Sequence, residues 1–276
     1  MTPAPQGSWS VLNLTQFIFR LSFGLAAAMT VVPPRYVTSG YFRNNLYVLL
    51  GLNVLASLVA WATPELASVR WVAVVAAAVS YVGAVMWLYE KPRAGIFALA
   101  LVAAAALAGA WLAVPAAGAS VGSAATDAAS IDPTSAASML LHRLDPFTSG
   151  LLLGVTMAAM LLGHWYLNSP GMQLEPLKRL VLLLAAAVLL RALVCGSGLV
   201  MELAAVHSFS TGRWLFLALR WLGGLFGTGV LAILTWKTLA IPNTQSATGI
   251  LYVAVITVFL GELVSLLLSA EALYPL

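Results

Sequence analysis

Apolar residues run through this chain in long blocks rather than in short alternation. Eight blocks reach the ~20 residues that a helix needs to cross a bilayer. They cover 11–33, 44–63, 69–89, 94–115, 147–167, 177–203, 213–236 and 248–270. Pro33-Pro34, Pro64, Pro92, Pro115, Pro170 and Pro242-Asn243 punctuate the connections, where residues that interrupt a helix belong. Trp9, Trp61, Trp71, Trp87, Trp111, Trp165, Trp214 and Trp236 gather at the predicted ends. That is the belt position of an amphipathic ring between lipid and headgroup. Asp145-Pro146 and Glu175-Pro176 read as helix starts, with an acid at the positive end of the helix dipole and proline in the first turn. The pattern predicts an all-α fold, a polytopic integral membrane bundle of eight transmembrane helices. It forms a single membrane domain over 1–276, with spans one to four in 1–115, an external loop over 116–145 and spans five to eight in 146–276.

Composition leaves little room for anything else. The chain is 62% hydrophobic and only 8% charged, with mean hydropathy +0.97, whereas soluble domains carry about 25% charged residues. No separate soluble domain fits. The segment MTPAPQGSWS has no basic residue ahead of its apolar run and does not read as a cleaved signal peptide.

The basic residues then orient the bundle. Alternate connections hold Arg35, Arg43, Lys91, Arg93, Lys178, Arg179 and Lys237, against Arg70, Arg143 and Arg213 on the other side. The richer side is expected to be cytoplasmic, with both termini outside and the setting a bacterial cytoplasmic (inner) membrane. The formal charge of +4 is thus a topology signal and gives no support for nucleic-acid binding. The external loop is rich in Ala, Ser and Gly and carries Asp127, Asp132 and Asp145. It reads as a flexible linker or as a docking segment.

Five charges fall inside the predicted spans: Arg20, Arg191, Glu202, Arg220 and Glu262. Each costs at least about 2.5–3.5 kcal/mol at the centre of a bilayer unless compensated. Helical spacing aligns Asn13, Gln16, Arg20, Gly24 and Ala27 in the first span. It also aligns Arg191, Cys195, Gly198 and Glu202 in the sixth, Arg213, Arg220, Gly224 and Gly227 in the seventh, and Glu262, Ser265 and Ser269 in the eighth. These faces are expected to point inward, since small residues beside charges let helices approach. Arg220 and Glu262 lie at similar depth and form the expected ion pair. Spans two to four hold no ionisable residue at comparable depth, and Asn53 is their main interior polar group. Two readings stay open for the charges: a register lock for the bundle, or a site. Three arginines against two glutamates leave a cationic surplus, which an anionic or carbonyl-bearing ligand or a lipid headgroup would meet.

His164, within Gly163-His164-Trp165-Tyr166, reads as an interface anchor or as a metal- or proton-handling group. His142 and His207 sit at or beyond the outer ends, so no facing pair suits a haem. The single cysteine, Cys195, excludes a disulfide framework and a cysteine metal cluster, and no metal site is expected. No zinc, P-loop or dinucleotide motif occurs. The polar run Ile241–Gly249 reads as a helix cap, and the glycines of Gly223–Gly229 as helix-packing positions.

Three stretches carry a resemblance: Leu152-Leu153-Gly154 through Leu162-Gly163, Gly198 through Ser208, and Val258 through Leu263. In these, the last four spans resemble the membrane-anchor subunit of the dimethyl sulfoxide reductase family. Glu202, His207 and Glu262 are the positions that match its pattern. The family's histidine-bearing segment is not found in spans two to four. The resemblance implies a subunit that holds an iron–sulfur protein to the membrane and interacts with a quinone. The expected function is therefore a membrane-anchor or quinone-interacting subunit of a respiratory oxidoreductase complex, without its own haem and with no covalently bound cofactor. Quinone or lipid is the expected ligand, and membrane lipid and other subunits are the expected partners. Glu202, Glu262, Arg191, Arg220, Arg20 and His164 are the candidate ligand or proton-handling residues. Two rival readings are a secondary transporter or channel using the buried Arg/Glu cluster, and a structural scaffold subunit of a membrane complex.

Overall fold

The computed structural model describes residues 6–113, 136–169, 171–205, 209–241, 243–270 and 272–276, with side chains from residue 11 onward. Most of the described residues are helical: α1 (Gln6–Val31), α2 (Ser39–Ala62), α3 (Arg70–Leu88), α4 (Pro92–Leu112), α5 (Ala136–Asn168), α6 (Glu175–Ala205), α7 (Thr211–Ala218), α8 (Thr228–Ala240) and α9 (Thr244–Ser269). A 3₁₀ turn over Pro64–Val69 leads into α3, and a π-helical segment, Leu219–Gly227, joins α7 to α8. With α7, the π segment and α8 taken as one span, eight helices among the described residues are long and apolar enough to cross a membrane. Leu58, Trp71, Phe97, Leu193, Leu222 and Ile256 stand exposed around the outside, the surface of an integral membrane protein.

Two helices form the centre. In α1 and α5, 78% of the most apolar stretch is buried, against 33–44% in the other spans. α1 packs on α2, α4 and α5, while α5 packs on α1, α6 and α9. The α1–α5 pair therefore joins a first group, α1 to α4, to a second, α5 to α9. The contact is close because both sides lack side chains there. A Cβ on Gly154 would lie 1.8 Å from the Gly24 carbonyl carbon, and one on Gly24 would lie 1.7 Å from the Gly150 carbonyl oxygen. Small residues at a crossing let backbones meet, the main route to tight packing where no hydrophobic force separates protein from lipid.

The span boundaries expected from the apolar blocks match these helices to within a few residues, except at the fifth. That span begins at Ala136, so Asp145 and Pro146 lie inside α5 rather than at its start. Asp-Pro is a sound helix-start signal locally, and proline cannot donate to the carbonyl one turn back. Tertiary contacts override it, because Asp145 is tied to two neighbouring helices and the turn around it is fixed from outside. The remainder of the expected loop, with Asp127 and Asp132, lies outside the described residues, as do His207, Pro170 and Pro242. The seventh span also departs from a regular α-helix, widening to the π form where Gly223, Gly224 and Gly227 fall. As expected of the polar run before the last span, Asn243 caps α9, its side-chain oxygen accepting from the Ser246 N–H at 3.0 Å. Asn53 is buried and donates back to the Leu49 carbonyl in its own helix at 2.8 Å.

Candidate functional site

The inward stripes converge. Arg20, Arg191, Arg220, Glu202 and Glu262 are all buried, as are Gly24, Cys195, Gly198 and Gly224 from the same faces. Four of the five charges join one ionic chain, completed by Asp145. Counted along their helices at ~1.5 Å per residue, its members lie about 10–20 Å below the end opposite the lysine- and arginine-rich connections.

The chain starts at α4. Gln16 donates to the Ala110 carbonyl at 2.7 Å and accepts from Arg20 Nε at 3.1 Å. Arg20 Nη2 reaches Asp145 Oδ2 at 2.7 Å. The other oxygen of Asp145 meets Arg191 Nη1 at 2.6 Å. Arg191 then grips Glu262 side-on, Nη2 to Oε2 at 2.9 Å and Nε to Oε1 at 3.2 Å. A guanidinium fork of this kind is the strongest geometry available to an Arg–carboxylate pair. Arg220 Nη2 closes the series on Glu262 Oε1 at 2.9 Å, the pair expected from matched depth along the seventh and eighth spans.

Hydroxyl groups complete the centre. Ser149 donates to Glu262 Oε2 at 2.6 Å, while Thr148 and Ser265 each accept from Arg191 at 3.2 Å. All four carboxylate oxygens of Asp145 and Glu262 are thus engaged, and Arg191 is satisfied at every nitrogen. The linked residues come from α1, α5, α6, the π segment and α9, with α4 attached through its carbonyl.

Arg220 is different. Its side chain is fully buried, yet Nε and Nη1 have no hydrogen-bond partner among the described residues. Its Nη2 also reaches Cys195 Sγ at 3.4 Å. The π turn and a glycine crossing make room for it. A Cβ on Gly224 would come within 2.8 Å of the Gly261 Cα, and a Cβ on either glycine would come within 3.4 Å of Arg220 Nη1. The widened turn of a π segment re-aims side chains and recurs at functional sites. Three guanidinium groups face two carboxylates in this cluster, which leaves one positive charge in surplus. A buried donor left without an acceptor costs about 1–3 kcal/mol, and more when it is charged.

Glu202 stands apart from the cluster. It pairs with Arg213 at 3.0 Å and accepts from the backbone N–H groups of Leu273 and Tyr274 at 2.9 and 3.2 Å. Both glutamates are therefore held by cationic and N–H donors, and neither is the unpaired carboxylate that a proton relay would use. His164 lies near the other end of the bundle, in α5 four residues before its end. There its Nδ1 is 3.2 Å from the Tyr252 hydroxyl, with the two rings edge to face; the structure does not bring it to the cluster. Asp145 is the member that sequence reasoning missed. The available signal was its helical spacing to Thr148 and Ser149, which puts three polar groups on one face of an otherwise apolar run.

Comparison of the chain with protein-family models, with curated proteins and with solved structures returns no match.

Proposed function

We propose that this chain is a quinone-interacting membrane subunit of a respiratory oxidoreductase complex, without a haem of its own, lying in a bacterial cytoplasmic membrane with both termini outside. The observation that carries this reading is that two nitrogens of the buried Arg220, Nε and Nη1, have no acceptor among the described residues. A quinone carbonyl is an uncharged, lipid-soluble acceptor that suits such a donor, and a quinone when bound supplies two-electron, two-proton redox chemistry. Arg220 would donate to it through Nη1 or Nε, whose N–H groups lie on opposite edges of the guanidinium. Glu262, itself gripped by Arg191, would keep Arg220 in place. The glutamates act here as fixed counter-charges, a narrower role than proton handling. The alternation of basic connections supports the orientation, and the resemblance of the last four spans supports the partner class, an iron–sulfur protein.

A second reading has its own support. The full engagement of Asp145 and Glu262 across five spans suits a scaffold subunit whose charges only fix helix register. Purification from the native membrane in mild detergent separates the two. The quinone reading expects extractable quinone and a co-purifying redox subunit. A stable homo-oligomer without quinone, fully functional after paired replacement of Arg220 and Glu262 by leucine, would leave only the scaffold.

A further inference from the structure

The residues that follow α9 turn back into the bundle. Tyr274 and Leu276 are buried, although 272–276 form no helix. The Leu273 and Tyr274 N–H groups both donate to Glu202 Oε2, and the Leu273 carbonyl lies 3.2 Å from His142 Nε2. The Leu276 N–H donates to Ser269 Oγ at 3.1 Å. The Leu276 carbonyl accepts from Ser265 Oγ, the same hydroxyl that takes a hydrogen bond from Arg191. The Pro275 carbonyl rests directly on α6 at Gly198, where a Cβ would lie only 2.0 Å from it. Apolar seating is modest: Tyr274 joins Leu141 and Val194, and Leu276 joins Leu217, Val264 and Leu268, in two small clusters outside the main core.

We propose that residues 272–276 are a displaceable latch that closes this end of the bundle over the ionic cluster, with Glu202 as its catch. Three features separate it from a fixed element. It is irregular, its anchors are individual side chains, and its apolar contacts are peripheral to the core; such segments are the ones that open locally while the rest of a fold persists. Its position gives the opening a consequence. Gly198 lies on the same face of α6 as Cys195 and Arg191, three residues beyond the first, and Ser265 links the latch to Arg191 by two hydrogen bonds. Lifting 272–276 therefore uncovers Ser265 and the approach along α6 to Arg191 and Arg220, while the ion pairs that hold the helices remain. Glu202 serves the latch rather than the cluster, which accounts for a buried carboxylate spending one oxygen on two backbone N–H groups. The inference does not depend on which ligand the cluster receives.

Cys195 is a built-in reporter, being the single cysteine in the chain, fully buried beside Arg220 and three residues from the Gly198 contact with Pro275. The experiment follows its modification by a charged, membrane-impermeant maleimide in the purified full-length protein. Wild type is expected to react slowly. Glu202→Ala, which removes the catch, and Gly198→Val, which displaces the Pro275 carbonyl, are each expected to speed labelling by about tenfold or more, because each weakens the closed form relative to the open one. Ser269→Ala, a milder change, is expected to fall between, and Gly212→Ala, away from the latch, to match wild type. Wild-type labelling rates in all three latch variants would overturn the proposal. So would faster labelling seen only in variants that lose the wild-type melting transition, because the latch would then be inseparable from the fold.

Discussion

Arg191 is the residue on which the interior depends. It faces both carboxylates of the cluster and two hydroxyl groups, with every nitrogen engaged. Removing one partner of a buried ion pair leaves the other charge uncompensated and costs about 3–5 kcal/mol. Arg191→Met should therefore destabilise the folded protein by that amount in reversible denaturant unfolding in micelles. Arg179→Ala breaks a pair of similar length, 2.9 Å to Glu175, but an exposed one, and should cost under about 1 kcal/mol. Equal losses in the two variants would show that the cluster contributes no more than a surface pair. Most of this residue-scale picture was legible in the sequence, because a charge within an apolar block stands out and helical spacing gives its face. Asp145 was not legible. Its neighbour Pro146 made it resemble a helix start, and only the arginines of α1 and α6, distant in sequence, hold that turn inside a helix.

The elements are set by close backbone approach as much as by apolar length. Gly154 meets Gly24 where α5 crosses α1, whereas a Cβ on Gly51 of α2 would find open space. Gly154→Ala should lower the melting temperature sharply or prevent folding, as followed by circular dichroism. Gly51→Ala should be neutral or slightly stabilising, since alanine favours a helix by about 1 kcal/mol over glycine. A Gly154→Ala protein that melts like wild type would remove the α1–α5 crossing as a determinant of the fold. The inward faces of the first, sixth, seventh and eighth spans followed from spacing alone. The π segment did not, although its glycines read correctly as packing positions: Gly224 lies on Gly261. Wide helical turns depend on what the neighbouring helix demands, here space beside Arg220, and local sequence does not encode that demand.

At the scale of the molecule, the charge asymmetry and the buried surplus make separate claims. With Cys195 replaced by serine, a cysteine in place of Lys237 should be shielded from an impermeant maleimide in right-side-out vesicles, and one in place of Arg143 should react. The reverse pattern would invert the bundle. Fold class was legible because eight apolar blocks leave few alternatives. Function was less so: the same buried charges suit a lock or a site, and the difference rests on two nitrogens of Arg220 that no sequence pattern marks as lacking partners. The central claim is that Arg220 donates to a quinone carbonyl through one of these nitrogens. Its most direct measurement is the quinone content of the protein purified in mild detergent, wild type beside Arg220→Met. Quinone bound to the wild type and lost from the folded variant is the expected result. Equal quinone in both, or none in either, would contradict it.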